Sequence, residues 1–167
     1  MDLKELAQGV MAKGSIDAFF DQRLRVLAAI EHFPKPVIAT LFGFCLGGGL
    51  ELPLACHFRL AAAESGGARI GLPELELGSL PAWGGTARLA RCVGRAHALD
   101  LILRAKKIDG PTALRIGLVT ELWPRAELKR RAHALAAERT RLIVAAACCM
   151  VAAVSGAITR TSQLSYG

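Results

Sequence analysis

Three consecutive glycines, Gly47, Gly48 and Gly49, separate an apolar run from Leu50-Glu51-Leu52-Pro53-Leu54. No regular element accepts them in its interior, where each glycine costs roughly 0.5–1 kcal/mol relative to Ala. They suit a point where the backbone must approach something closely and then start a helix. The first amides of a helix have no partner inside it and point outward. The helix dipole favours negative charge at that end. Pro36-Val37-Ile38-Ala39-Thr40-Leu41 leads in and reads as a buried strand. The stretch Phe42 to Cys56 therefore predicts a glycine turn and then a helix, with an oxyanion site on backbone N–H groups. Glu51 falls about one turn into that helix. A bare glycine run also suits a flexible loop or a close helix–strand crossing, and the strand–turn–helix order argues for the anion site. No G-K-[ST] follows the glycines and G-x-G-x-x-G is not met, so this is neither a P-loop nor a dinucleotide fingerprint.

The chain has 167 residues, enough for one domain with a real core. Its net charge is +7, yet the basic residues are scattered and aromatics make up only 5%. A nucleic-acid surface interleaves basic and aromatic side chains, so no nucleic-acid partner is expected. A phosphate-bearing anionic ligand is the simpler use of the charge. The 5 cysteines are odd in number and form no C-x-x-C pair. They imply neither a disulfide framework nor a metal site, and a reducing, cytoplasmic compartment is the natural reading. MDLKELAQGV is polar and amphipathic, unlike a signal peptide.

The remaining pattern predicts an α/β chain with short strands and many helices. Leu3, Leu6, Val10 and Met11 predict a helix over 2–12. Ile16, Phe19, Phe20, Leu24, Leu27 and Ile30 predict one over 15–32, with Ser15 as its N-cap and Pro34 and Pro36 ending it. The glycine helix is expected over 48–56 and a strand over Phe58 to Ala62. Residues 64–67 form a turn, and Arg69 to Gly71 a short extended piece. Pro73 keeps Leu72 out of helix, which sets Glu74 on a loop or at a helix start. Helices are expected over 86–93 and 95–105, broken at Gly94, with Leu99, Ile102 and Leu103 inward. Asp109 caps a helix over 110–115, with Pro111 in its first turn. Leu118 to Thr120 reads as a strand, and Trp123-Pro124 starts a helix running to about Arg139.

Two carboxylates stand out. Glu51 lies among Leu50, Leu52 and Leu54, and Glu74 lies in an apolar segment closed by Pro73. Most glutamates are solvated. Brought together over the glycine amides, these two would share a water, with one holding a proton while the other stays charged. That supplies a general base and a general acid beside an oxyanion site. The arrangement suits addition of water across a double bond conjugated to a carbonyl, or proton shuttling α to a thioester.

The motifs K-P-V-I-A (35–39), G-F-C-L-G-G-G-L-E-L (43–52), G-L-P-E (71–74), L-G-S-L-P (77–81) and G-G-T-A-R-L (84–89) resemble the enoyl-CoA hydratase/isomerase, or crotonase, family. I-D-G-P-T-A (108–113) and I-G-L-V (116–119) extend the match, which covers about residues 2–138. The resemblance implies a partial spiral of ββα units over a core domain, 1–138, and trimers or hexamers. It implies an acyl-CoA thioester as substrate, with coenzyme A part of that substrate and no separate cofactor. By motif, Gly48 resembles the oxyanion-hole glycine. Glu51 and Glu74 resemble the paired glutamates that hold the water, deliver hydroxide to C3 and a proton to C2. Gly47, Cys45 and Trp83 are candidates to line the substrate pocket. For Cys45 a small buried role is the alternative, and for Trp83 core packing. Asp100 on a helix surface and His57 and His97, which lack metal-ligand spacing, are read as structural or surface residues.

The chain also departs from the family. The alanine whose amide completes the family's oxyanion hole falls at Met1, and the family's earlier ββα turns have no counterpart, as in an N-terminally truncated copy. The segment Ala61 to Ala68 looks a few residues longer than usual. Beyond residue 138 the match stops, and 139–167 is a divergent tail. Residues 142–158 carry no charge, which is short for a membrane span of about 20 residues. A buried helix, a span and a shifted reading frame are the open readings of that tail. The function expected is hydration of an enoyl-CoA in β-oxidation or a related pathway. The alternatives are an impaired remnant acting in assembly or weak CoA binding, an isomerase, and a membrane-tethered domain.

Overall fold

A computed structural model describes residues 16–138. The expected helix over 2–12, the Ser15 cap, Met1 and the tail 139–167 lie outside the described residues. Two successive strand–strand–helix units make up the first part. After helix α1 (Ile16–Glu31) come β1 (Ile38–Leu41), β2 (Gly43–Leu46) and α2 (Gly48–Ala55). Then come β3 (Phe58–Ala62), β4 (Ala68–Gly71), a 3-10 turn (Glu74–Leu77) and α3 (Gly85–Leu103). Helix α4 (Gly110–Arg115), β5 (Glu121–Trp123), a second 3-10 turn (Arg125–Glu127) and α5 (Leu128–Glu138) follow.

Among the described residues all strand pairs are parallel. β1, β3 and β5 form one sheet in the order β1-β3-β5, and β2 pairs with β4 in a second. Only Phe42 separates β1 from β2, so the chain must swing from one sheet to the other in a single residue. Gly43, at φ +63°, makes that swing, and its N–H donates to Gly67 O at 2.7 Å. The two strands are too close to be told apart in an apolar run, and the β2 strand is a finding beyond the expected 36–41 strand. The register of β2 on β4 runs from Gly43 opposite Ala68 to Leu46 opposite Gly71.

The core lies between the sheets and the helices. Ile38, Leu41, Leu50, Leu60, Ile70, Leu89 and Leu118 are fully buried. Arg59 ties it together on one side. Its guanidinium donates to the carbonyls of Leu118 (2.7 Å), Cys56 (2.6 Å) and Pro53 (3.3 Å), closing the C-terminal end of α2. Asp109 accepts from Thr112 N at 2.9 Å as the cap of α4.

Four expectations need correction. The strand expected at Leu118 to Thr120 is displaced to Glu121–Trp123. Leu118 O is taken by the Arg59 side chain, and Thr120 donates from both N and Oγ1 to Arg59 O, so the ladder with β3 opens only at Leu60 opposite Glu121. Gly94 does break α3, at φ +77° and ψ 162°. Beyond the break, however, Ala98, Leu101 and Ile102 face inward, while Leu99 and Leu103 are exposed. Trp123 ends β5, and the last helix begins later, at Leu128. In α1, Phe19 and Leu27 are buried and Leu24 is exposed.

Candidate active site

Gly47 is the hinge of the site. It sits at φ +56° and ψ −129°, a conformation that needs glycine, and its N–H donates to Gly71 O at 3.0 Å as the last rung beyond the β2–β4 ladder. Its carbonyl accepts from Leu50 N (2.7 Å) and Glu51 N (3.0 Å), which starts α2. Gly48 is the first residue of α2, so its amide has no helical carbonyl one turn earlier. The turn thus aims a backbone N–H away from the helix.

Glu51 lies on the inner face of α2 and is only 2% exposed. Its Oε1 accepts from the backbone N–H groups of Trp83 (2.8 Å) and Gly85 (2.9 Å). The approach is close: a Cβ on Gly85 would stand 2.7 Å from Glu51 Oε1. Burial pushes the Glu51 carboxyl above the usual carboxylate range, and the Gly85 and Trp83 amides and the Arg88 charge pull against that shift.

Glu74 arrives from β4, the strand paired with β2. β4 ends at Gly71, Leu72 is fully buried, and the 3-10 turn begins at Glu74. Its carbonyl accepts from Ser79 N at 3.1 Å, and Glu76 in the same turn pairs with Lys107. The carboxyl lies against the glycine turn, with Oε1 2.9 Å from where a Cβ on Gly47 would be. Glu74 Oε2 is buried and has no hydrogen-bond partner among the described residues. Burial also raises the Glu74 pKa, its own backbone amide opposes that, and the Glu51 charge raises it further. The Glu51 carboxylate is therefore near enough for its charge to act on Glu74.

Trp83 is half-buried and its ring covers Gly48, where a Cβ would strike Trp83 Cζ3. The Arg23 guanidinium of α1 stands 5.5 Å from the Trp83 ring. Cys45 makes a different contact. It is fully buried in the core and its thiol points to Phe42 O at 3.5 Å. Asp100 pairs with Arg104 and Lys106 on the surface, His97 is exposed, and His57 accepts from Val37 N at 2.9 Å. Among the described residues no cluster of His, Cys, Asp and Glu could hold a metal ion, and no helix is long and apolar enough to cross a membrane.

Sequence reasoning missed the Trp83 and Gly85 amides, Arg88 and Glu31. Arg88 donates through Nη1 to Trp83 O (2.8 Å) and through Nε and Nη2 to Glu31 Oε2 (3.0 and 2.8 Å). Gly84-Gly85 ahead of a helix was the available signal, because it repeats the arrangement of the first glycine run.

The family model for enoyl-CoA hydratase/isomerase matches residues 1–165. The chain belongs to the enoyl-CoA hydratase/isomerase family. It is 45% identical over 140 residues to a probable enoyl-CoA hydratase of Bacillus subtilis, covering 82% of this chain and 52% of that protein. An enoyl-CoA hydratase structure from Geobacillus kaustophilus superposes with a TM-score of 0.69 at 40% identity, over 73% of this chain and 46% of that one. One from Bacillus anthracis gives 0.67 at 33% identity, over 81% and 47%. The chain thus spans about half the length of these relatives. The α/β reading and the family resemblance drawn from the motifs agree with these matches, and the family match runs on to residue 165, past residue 138 where the motif resemblance was taken to stop.

Proposed function

We propose that this member of the enoyl-CoA hydratase/isomerase family hydrates the 2,3 double bond of an acyl-CoA thioester. The observation that carries the proposal is the orphaned Oε2 of Glu74, buried beside the glycine turn and within electrostatic reach of Glu51. An unpaired buried acceptor costs about 1–3 kcal/mol. It persists where something outside the chain, a water or a substrate, completes it.

In this reading Glu51 is the fixed carboxylate. Two amides anchor Oε1, and its second oxygen orients the attacking water. Glu74 moves the proton. An O–H bond of water breaks, the hydroxyl adds to C3 and a proton is delivered to C2, so the two carboxylates end as they began. Developing negative charge on the thioester oxygen falls on the Gly48 N–H, where the start of α2 favours it. Gly47 holds the turn and Trp83 walls the acyl group over Gly48. Cys45 stands behind the site as packing. Coenzyme A enters with the substrate, and no separate cofactor is invoked. The exposed Leu77, Leu80, Leu99 and Leu103 support assembly with further copies, as trimers or larger. A role in β-oxidation or a related acyl-CoA pathway, in the cytoplasm, belongs to the same proposal.

The test is hydration of crotonyl-CoA, followed by loss of the conjugated thioester absorbance. Glu51→Gln and Glu74→Gln should each cost about 10²- to 10⁴-fold in kcat. Full activity in both would overturn the assignment. A folded protein with no turnover at all would favour the assembly or CoA-binding reading.

A further inference from the structure

Glu51 is held by backbone rather than by side chains, so whatever fixes that backbone governs the carboxylate. Residues 82–84 form a turn in which Gly84 takes φ +83°. The Arg88 guanidinium fills the space beneath it, since a Cβ on Gly84 would lie 2.5 Å from Nη1. One guanidinium face holds Trp83 O, and the other edge is held by Glu31 at the last position of α1. Arg88 is 12% exposed and Glu31 35%, so the guanidinium is sheltered while the carboxylate is partly open to water.

We infer that Arg88, clamped by Glu31, is the positioning residue of this site: it locks the Trp83–Gly85 turn whose amides hold the Glu51 carboxylate. The inference rests on the role proposed for Glu51. The Arg88 charge also works against the effect of burial on Glu51. The charged groups facing Glu51 are Arg88 from α3 and Glu74 from the turn after β4. From α1, Glu31 reaches Glu51 only through Arg88, and Arg23 stands over the Trp83 ring. β1 carries no titratable side chain and β2 only the Cys45 thiol. A consequence is that the seating of α1 on the domain is read directly at the carboxylate. Lysine cannot replace Arg88, because it has one point of donation where three directed bonds are made.

The test uses the full chain in three variants, Arg88→Met, Arg88→Lys and Glu31→Gln. Nuclear magnetic resonance follows the Trp83 and Gly85 amides and the titration of the Glu51 carboxyl, assigned by its loss in Glu51→Gln. Arg88→Met should move the Glu51 titration upward and displace both amide resonances. Arg88→Lys should keep more of the titration position yet still displace the amides. Glu31→Gln, at a half-buried side chain, keeps the test open if Arg88→Met does not fold. It too should displace the amides, because the Gln oxygen accepts the same bonds without the charge that fastens the guanidinium. Each variant should lower kcat for crotonyl-CoA about 10- to 100-fold with KM within about twofold. Folded variants with both amides and the Glu51 titration unmoved would overturn the inference. If Glu51→Gln alone retained full activity, the catalytic reading would fall, and the amide shifts would still decide whether Arg88 positions Glu51.

Discussion

Glu51 Oε1 accepts from the N–H of Gly85 at 2.9 Å, across 34 residues of chain and from a glycine too close to carry a side chain. Any Cβ at that position would strike the carboxylate it is meant to hold. Gly85→Ala should therefore push Glu51 out of place. A loss of about 10-fold or more in kcat with crotonyl-CoA is expected, with a small loss in thermal stability. Steady-state kinetics beside a melting curve separates the two effects.

The two carboxylates should leave a signature in stability against pH. The folded-state pKa of Glu74 is raised, by burial and by Glu51. A raised pKa means that folding favours the protonated form. The contribution is fully present below the ordinary carboxylate range and is lost as pH rises through the folded value. Glu74→Gln removes that loss. Its melting temperature should exceed the parent's at neutral pH, and the gain should vanish in acid, where the parent's Glu74 is protonated. A gain that grew toward acid would contradict the direction assigned to Glu74.

The same direction fixes the pH dependence of activity. With both carboxyls displaced upward and coupled, the acid limb of kcat/KM for crotonyl-CoA should lie above the ordinary carboxylate range. The limb belongs to the pair and not to either residue. Arg88→Met should move it further up. Its measurement needs only rates across a buffer series.

The first two glycines of the turn should fail in different ways. Gly47→Ala meets both a left-handed φ and the Glu74 oxygen, and strain of this kind costs about 1–3 kcal/mol. No second substitution at Trp83 should restore it. Gly48→Ala meets only the Trp83 ring. The double variant Gly48→Ala/Trp83→Ala should recover stability that Gly48→Ala alone has lost. Chemical denaturation of the four proteins closes the cycle.

Arg59 provides a control away from the carboxylates. Arg59→Met removes the three guanidinium hydrogen bonds to the Pro53, Cys56 and Leu118 carbonyls. A loss of about 2–4 kcal/mol is expected in urea unfolding. At temperatures where the variant is folded, kcat should be nearly unchanged.

Much of this was legible from residue types alone. The glycine run announced the start of α2, Asp109 the cap of α4 and Gly94 a break in α3, because each is a local demand that few residues meet. Glu74 could be placed on a turn because Pro73 restricts Leu72. What escaped depended on partners distant in sequence. The shift of the last strand from 118–120 to 121–123 follows from Arg59, which takes the Leu118 carbonyl and so delays the ladder. β2 escaped because nothing in an apolar run marks a change of sheet except Gly43. Leu99 and Leu103 face outward although their chemistry suits a core. The donors to Glu51 escaped because they are backbone amides, and an amide carries no letter in a sequence.

The pairing of β2 with β4 has one more consequence. It delivers Gly47 and Glu74 to the same place through a single alignment, Leu46 opposite Gly71. A slip of one residue would turn every side chain of that short ladder to the opposite face and carry Glu74 away from the glycine turn. Such a chain would keep its helices and look native in far-ultraviolet circular dichroism. In any preparation, catalytic silence and spectroscopic normality could coexist, and active-site titration, not helix content, would count the correctly assembled molecules.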